Sequence, residues 1–394
     1  MSTNPDSTNT IVALRAFPRA VWILFVGTFL NKFGSFVIPF LALYMTRQGF
    51  TSRQAGFAIS AYGVGQLLAS ICGGHMADTV GRRKTIVLSM FSVAATMLLL
   101  SQARGLPAIL ALTFLVGLTG ELYRPAGSAM LTDLVPPGRR LTAFSAYRLA
   151  FNAGWAFGPA TAGFLAAYSF FWLFVGDSLT SLLFGVVAWS CLPAGRPAGR
   201  ADAAWLESLR AVQKDPLLRR ALISSLAIGV VFLQMVSSYG LHVTALGHSD
   251  KTYGLLLSLN GVLIVCCELP VTEITRRYPA RRVMALGYLL VGGGFALNGL
   301  ARTLPELVGA MMVFTLGEMI TIPVFAAHVA DLAPADRRGR YMGAWALTGA
   351  MALILGPNLG MTLYRIQPGA LWVLCAGLSV FAALVIRPER LKPS

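Results

Sequence analysis

Apolar residues occur along this chain in long runs that are separated by short polar segments. A helix that crosses a bilayer needs about 20 predominantly apolar residues. Twelve runs have a length near this value, at residues 20–45, 54–77, 85–101, 106–131, 141–167, 170–192, 219–246, 252–275, 282–301, 304–330, 339–364 and 368–386. The pattern predicts an all-α membrane protein with twelve transmembrane helices.

A polar stretch after the sixth run divides the predicted helices into two groups of six. It predicts a first six-helix bundle over 1–192, a cytoplasmic linker over 193–218 and a second six-helix bundle over 219–394. Within the linker, residues 203–214 combine apolar side chains such as Trp205 and Leu209 with basic ones, a pattern typical of an amphipathic helix on a membrane surface. A solvated connector is an equally good interpretation of this segment.

The two groups of helices repeat each other. A shift of 198 residues aligns residues 125–159 with 323–357 without a gap. The identical pairs include Pro125/Pro323, Asp133/Asp331, Leu134/Leu332, Pro136/Pro334, Arg139/Arg337, Arg140/Arg338, Gly158/Gly356 and Pro159/Pro357. The halves are therefore predicted to be pseudo-symmetric bundles, an arrangement that suits a transporter whose halves rock around a site near the membrane midplane.

Composition and charge agree with a membrane protein. Of the 394 residues, 56% are hydrophobic and only 12% are charged, whereas soluble proteins are roughly 25% charged. The net charge of +16 does not indicate nucleic-acid binding, because alternate loops hold 23 basic residues on one side of the membrane and 6 on the other. Basic loops face the cytoplasm. We therefore expect a multi-pass protein of the inner (plasma) membrane with both termini in the cytoplasm.

The loop between the second and third predicted helices carries a motif. It resembles the loop signature G-x-x-x-D-R-x-G-R-R of the major facilitator superfamily, and the matching residues are Gly74, Asp78, Gly81, Arg82 and Arg83. The resemblance implies a conformational gate, in which the aspartate and the arginines lock helix ends together in one state. Gly74 is expected to allow a close approach of helices. Thr79 departs from the family, which usually has arginine there.

The fifth predicted helix carries a second motif, formed by Gly154, Gly158, Pro159 and Gly163. It is similar to the motif of the drug:proton antiporter (multidrug efflux) branch of the same superfamily, with Ala162 in place of one glycine. An ordinary helix kinked by proline is the alternative interpretation. In the fourth helix, Thr113 occupies the position at which that branch has an arginine implicated in proton coupling.

Charged and polar residues inside the predicted helices are candidates for substrate binding or proton coupling, because charges are costly at membrane depth. They are Lys32, Glu121, Arg124, Arg148, Asn152, Glu268 and Glu318. Structural ion pairs between helices are the alternative. The resemblance implies that helices 1, 4, 7 and 10 line a central cavity, which favours Lys32, Glu121, Arg124 and Glu318.

The cations are unevenly distributed between the halves. All three intramembrane cations belong to the first half, so Glu268 and Glu318 have no cation near them in sequence. A carboxylate without a neighbouring cation binds a proton more readily than one paired with arginine. We therefore expect Glu318 and Glu268 to be the better proton carriers, and the Glu121–Arg124 pair to act as a gate or a substrate clamp.

Chemistry of other kinds is not indicated. No phosphate-binding glycine loop appears, which argues against ATP as the energy source, and no catalytic constellation of an enzyme appears. The histidines and cysteines lack the spacing of metal ligands. We expect a monomeric secondary transporter that uses the proton gradient, needs no cofactor, and exports drug-like or metabolite small molecules. A proton symporter that imports a sugar or organic acid is the alternative, and a membrane receptor or enzyme is a remote one.

Overall fold

The structure is a computed structural model that describes residues 17–136, 139–194, 215–275, 277–333 and 338–386. In these ranges the chain forms helices joined by turns and bends, without a strand. The predicted linker helix at residues 203–214 lies outside the described residues.

Each half contributes six helices to the described part of the chain. The first half contains α1 (Arg19–Phe33 and Val37–Arg47), α2 (Ser52–Thr79), α3 (Arg82–Gln102), α4 (Leu106–Glu121 and Tyr123–Leu134), α5 (Arg140–Tyr168) and α6 (Phe171–Cys191). The second half contains α7 (Pro216–Phe232, the 3₁₀ turn Leu233–Val236, and Ser238–Ala245), α8 (Asp250–Thr275), α9 (Ala280–Asn298), α10 (Leu304–Leu332), α11 (Arg338–Ile366) and α12 (Pro368–Ile386). Each predicted run overlaps one of these helices, so the all-α fold with twelve helices is confirmed.

Eleven of the described helices are long and apolar enough to cross a membrane by length and composition. The remaining long helix is α5. Its glycines and its polar residues, such as Arg148 and Asn152, lower its mean hydropathy. The helix that looks least like a membrane span is therefore the one that carries the second sequence motif.

Helices α1 and α7 are interrupted at equivalent positions. The break in α1 lies at residues 34–36 and the 3₁₀ turn in α7 at Leu233–Val236, so the 198-residue shift relates them. At the first break, the Asp177 carboxylate lies against the backbone N–H groups of Phe36 and Val37. At the second, the Gln234 amide donates to the Val230 carbonyl oxygen (2.9 Å) and the Ser237 hydroxyl donates to the Leu233 carbonyl oxygen (2.7 Å). Backbone groups freed inside a membrane need such partners, which explains why both breaks are stable.

The two halves contact each other along two seams, α5 with α8 and α2 with α11. Small residues make the seams close. A Cβ atom on Gly254 would overlap the Pro159 carbonyl oxygen, and one on Gly261 would overlap the Ala156 Cα atom. In the other seam, Ser60 donates to the Ile354 carbonyl oxygen (2.5 Å).

The ends of the helix bundle differ in charge. We call the end with the α2–α3 loop and its arginines the basic end, and the end with the α1–α2 and α7–α8 loops the opposite end. The close contacts of both seams come from the helix portions nearer the opposite end. The halves are therefore joined at the opposite end, and the space between them lies towards the basic end.

Candidate functional site

A cavity of about 320 Å³ lies between the two halves. Helices α4, α5, α8 and α10 line it, with the residues Arg124, Ser128, Tyr147, Arg148, Phe151, Asn152, Ile264, Glu268, Glu318, Met319 and Ile322. Five of the seven predicted site residues belong to this lining. The other two, Lys32 and Glu121, are buried beside it and reach it through Arg124. The structure therefore brings all seven into one region.

Lys32, Glu121 and Arg124 form one cluster. The Lys32 Nζ atom lies 2.9 Å from Glu121 Oε1, and the Arg124 Nη1 atom lies 3.3 Å from Glu121 Oε2. The Tyr62 hydroxyl also donates to Glu121 Oε1 (3.4 Å). The predicted pairing of Glu121 with Arg124 is confirmed, and Lys32 joins it from α1. Two cations share one carboxylate, so the cluster has a net charge of +1.

Phe151 covers this cluster on the side of the cavity. Lys32 Nζ lies 5.1 Å from the centre of its ring, and the Arg124 guanidinium carbon lies 5.4 Å from it. Cations at this distance are attracted to the face of an aromatic ring. The ring therefore holds both cations in place while leaving half of the Arg124 side chain exposed to the cavity.

Glu268 is not the isolated carboxylate that the sequence suggested. It contacts the Arg148 Nη2 atom and forms an ion pair with it. The expectation that Glu268 lacks a cation is therefore wrong, because its partner stands 120 positions away in the other half. This ion pair joins α5 to α8 across the cavity, and the Arg148 side chain is 51% exposed.

Glu318 has a different environment. Its Oε2 atom accepts a hydrogen bond from the Asn260 amide (2.7 Å), which also donates to the Thr315 hydroxyl oxygen (3.1 Å). Thr315 in turn donates to the Met311 carbonyl oxygen. Within the described part of the chain, no cation pairs with Glu318. A proton can therefore bind to this cavity-facing carboxyl group without breaking an ion pair.

The residues of the α2–α3 loop motif make several contacts with the first half. Gly81 has a φ of +104°, which favours glycine, and it ends the turn before α3. Arg82 Nε lies 2.9 Å from Asp133 Oδ2, and Arg83 donates to the Leu192 carbonyl oxygen (3.2 Å). Asp78 forms no ion pair with any described residue. Both of these arginine contacts lie within the first half.

Gly74 does not make the close helix contact that its place in the motif suggests. A Cβ atom on it would meet no atom of the described residues within 4 Å, whereas one on Gly73 would lie 2.9 Å from the Leu122 carbonyl oxygen. The interruption of α4 at Leu122 brings this carbonyl towards α2. In this conformation the neighbouring glycine therefore provides the close approach.

The glycines of the α5 motif contact two different helices. Cβ atoms on Gly154 and Gly158 would lie 2.7 and 2.6 Å from the carbonyl oxygens of Phe29 and Phe33 in α1. A Cβ atom on Gly163 would lie 2.7 Å from the Asp250 carbonyl oxygen in α8. All three glycines therefore stand where a side chain would meet a backbone carbonyl oxygen. The motif holds α5 against the broken helix α1 and against the other half.

Sequence reasoning missed an ion pair at the opposite end. The two terminal guanidinium nitrogens of Arg47 donate to the two carboxylate oxygens of Asp250, each at 2.7 Å. The Asp250 side chain is 3% exposed, and the Arg47 guanidinium lies over the Phe170 ring. This pair joins α1 to α8 and so links the halves. The 198-residue repeat offered one signal. It aligns Asp250, the first residue of α8, with Ser52, the first residue of α2, so a charged residue stands where the other half has a neutral one.

The charges around the cavity balance. Three cations, Lys32, Arg124 and Arg148, face three carboxylates when all are ionised, and protonation of Glu318 leaves one excess positive charge. The cavity also has aromatic and aliphatic walls from residues such as Phe151 and Ile322. Such a site suits a small amphipathic molecule. The net charge of the site depends on whether Glu318 carries a proton.

Known proteins resemble the chain along most of its length. The MFS-type transporter YqjV of Bacillus subtilis is 26% identical over 348 residues, which cover 86% of this chain and 85% of that protein. The multidrug resistance protein MdtH of Edwardsiella ictaluri is 25% identical over 355 residues, covering 89% and 87%.

Solved structures have the same fold. A crystal structure of a mutant of the nucleoside transporter NupG superposes with a TM-score of 0.81 at 14% identity, covering 93% of this chain and 99% of that chain. The family model of the Major Facilitator Superfamily matches residues 24–251 and 238–394. Together with the repeated halves, the cavity between these halves and the α2–α3 loop motif, this match shows that the chain belongs to the Major Facilitator Superfamily of transporters.

Proposed function

We propose that the protein is a secondary transporter that exports drug-like or metabolite small molecules in exchange for protons. The observation that carries the proposal is the contrast among the three cavity carboxylates. Glu121 and Glu268 are paired with cations, whereas Glu318 accepts only the Asn260 amide among the described residues. Glu318 is therefore the carboxylate at which a proton and a substrate can compete without breaking an ion pair.

The exchange cycle uses the opening towards the basic end. By the charge rule for membrane loops, this end and both termini face the cytoplasm. Glu318 releases its proton into the cytoplasmic cavity, and a substrate then binds through contacts to the carboxylate and to the aromatic wall. The halves rock, the substrate leaves on the other side, and a proton from that side binds Glu318. We expect a monomer to carry out this cycle, because the described residues of one chain line the cavity from both halves.

The relatives support the outward direction. MdtH is named as a multidrug resistance protein, and the α5 motif that packs the seam resembles that of antiporters. The balanced charge of the cavity fits the exchange of one proton for one substrate molecule. A substrate with one positive charge would replace the charge of the proton, and a substrate that donates a hydrogen bond would replace its contact with the carboxylate.

The test is transport by purified protein in liposomes with an imposed pH gradient, screened with cationic dyes, antibiotics and organic acids. We expect substrate movement opposite to the proton flow, and loss of this coupling in Glu318→Gln while substrate exchange at equal pH persists. Asp331→Asn is the matched control, because Asp331 is an exposed carboxylate on the same helix. Proton-driven transport that is unchanged in Glu318→Gln would refute the role of Glu318.

A second candidate is a proton symporter for an anionic substrate. Its specific support is that Arg124 and Arg148 each expose half of the side chain, both at the cavity. Protonation of Glu318 would then supply the excess positive charge that attracts an organic acid. In the same liposomes, accumulation of an organic acid in the direction of proton flow would favour symport over export.

A further inference from the structure

An apolar groove of about 830 Å³ runs along the outside of the helix bundle, at the α2–α11 seam. We call it the seam groove, and it is lined by Arg53, Phe57, Ile223, Leu226, Ala227, Val230, Ile354, Leu355, Asn358, Leu359, Thr362, Leu378 and Phe381. Its side chains come from α2 in the first half and from α7, α11 and α12 in the second. Leu355, Leu359 and Phe381 are about half exposed in it. The groove is therefore an apolar channel open to the hydrocarbon of the bilayer.

One cation stands at the rim of the seam groove. Arg53 lies in the first turn of α2, near the opposite end, and its guanidinium lies 5.5 Å from the centre of the Phe57 ring. Among the described residues, Arg53 forms no hydrogen bond and no ion pair. No acidic side chain belongs to the part of the lining that the structure describes. Basic residues are rare at this end of the bundle. The seam groove therefore combines an unusual positive charge at its rim with an apolar channel below it.

The groove borders a polar contact between the halves. The Asn358 amide, in the wall, donates to the Ser60 hydroxyl oxygen across the seam (2.9 Å), and its carbonyl oxygen has no partner among the described residues. Ser60 donates to the Ile354 carbonyl oxygen, and Ile354 also belongs to the wall. A molecule that fills the groove would therefore touch both halves where they are hydrogen-bonded.

We propose that the seam groove is a binding site for a single anionic phospholipid from the membrane leaflet at the opposite end. The acyl chain lies in the apolar channel, and the phosphate accepts hydrogen bonds from Arg53. The absence of an acidic side chain from the described lining leaves an amine headgroup without a partner, which favours an anionic headgroup such as that of phosphatidylglycerol. This site is separate from the central cavity, so the proposal does not depend on the transported substrate.

The test is native mass spectrometry of the purified full chain, titrated with phosphatidylglycerol and with diacylglycerol of the same chains. We expect one retained phosphatidylglycerol in the wild type and little retained diacylglycerol. Arg53→Gln should weaken phosphatidylglycerol binding roughly fivefold, the effect of one arginine at a lipid headgroup. Leu355→Trp should also weaken it, because the indole fills the channel.

Two variants are controls. Arg104→Gln removes another exposed arginine at the same end, and Leu99→Trp adds an indole to an exposed position on α3. Both should retain the lipid like the wild type. Equal loss in Arg104→Gln, or equal retention of diacylglycerol, would overturn the proposal. A dimer that Leu355→Trp abolishes would overturn it in favour of a second copy of the chain in the groove.

Discussion

The ion pair between Arg47 and Asp250 should set how readily the opposite end opens. It links α1 to α8, and the seams near it hold the halves together. Opening this end requires the two side chains to separate. We expect Asp250→Asn, which keeps the shape of the side chain and removes its charge, to shift the protein towards conformations open at the opposite end.

The size of the shift follows from the geometry. Both hydrogen bonds are 2.7 Å long and Asp250 is buried, and these two features strengthen the ion pair. Half of the Arg47 side chain is exposed, and solvent screening there weakens the ion pair. Exposed pairs contribute about 0.2–1 kcal/mol, and breaking buried ones costs about 3–5 kcal/mol. A value of about 1.4 kcal/mol, between these ranges, corresponds to a tenfold change in the open population.

Pulsed electron paramagnetic resonance measures this population. Spin labels at Gln102 and Leu300 place one probe in each half near the opposite end, in a background without the exposed Cys72, Cys191 and Cys266. The long-distance fraction should rise about tenfold from a small starting value in Asp250→Asn.

The partner variant isolates the pair. Arg47→Gln should give the same distance distribution, and the double variant should add nothing, because the interaction is already lost in each single one. An unchanged distribution in Asp250→Asn, or additive shifts in the double variant, would refute the reasoning that this ion pair holds the end closed.

Two further substitutions test the packing of the site. Lys32→Met should lower the free energy of unfolding by about 3 kcal/mol. This value is at the low end for a broken buried ion pair, because Glu121 keeps Arg124 as its other cation. A thermal unfolding midpoint equal to that of the wild type would contradict this expectation. Gly254→Ala should cost about 1–3 kcal/mol, since the added Cβ atom would meet the Pro159 carbonyl oxygen at the seam. Gly309→Ala, which meets open space, is its control in the same thermal measurement, and equal midpoints for the two variants would contradict the seam assignment.

The parts of the fold that depend on local pattern could be predicted from the sequence. Apolar runs indicated the helices, and the 198-residue shift indicated the halves, because both signals are continuous along the chain. The interruption of α1 was not predicted, and there Asp177 of α6 lies near the backbone N–H groups of Phe36 and Val37. A contact of this kind leaves no periodic trace in either segment.

The same limit explains the partial prediction of the site. Glu121 and Arg124 stand three positions apart on a helical run, so their pairing could be read from the sequence. The partners of Lys32 and Glu268 stand in other helices, and no local pattern connects them. Residue type identified which groups belong to the site, whereas only the packing of the helices showed which carboxylate is left without a cation among the described residues.

The structure divides the charged groups of the cavity unequally between the halves. The first half supplies all three cations, and the second supplies the two carboxylates that face them across the cavity, Glu268 and Glu318. The Arg148–Glu268 pair crosses from one half to the other, so in the proposed function movement of the halves and binding of a charged substrate would act on the same contact. An anionic substrate would compete with Glu268 for Arg148, whereas a cationic one would compete with Arg148 for Glu268. We therefore expect charge reversal of the pair, by Arg148→Glu combined with Glu268→Arg, to preserve the link between the halves but to change which substrates are transported, and loss of transport for every substrate would show that the pair has a role other than recognition.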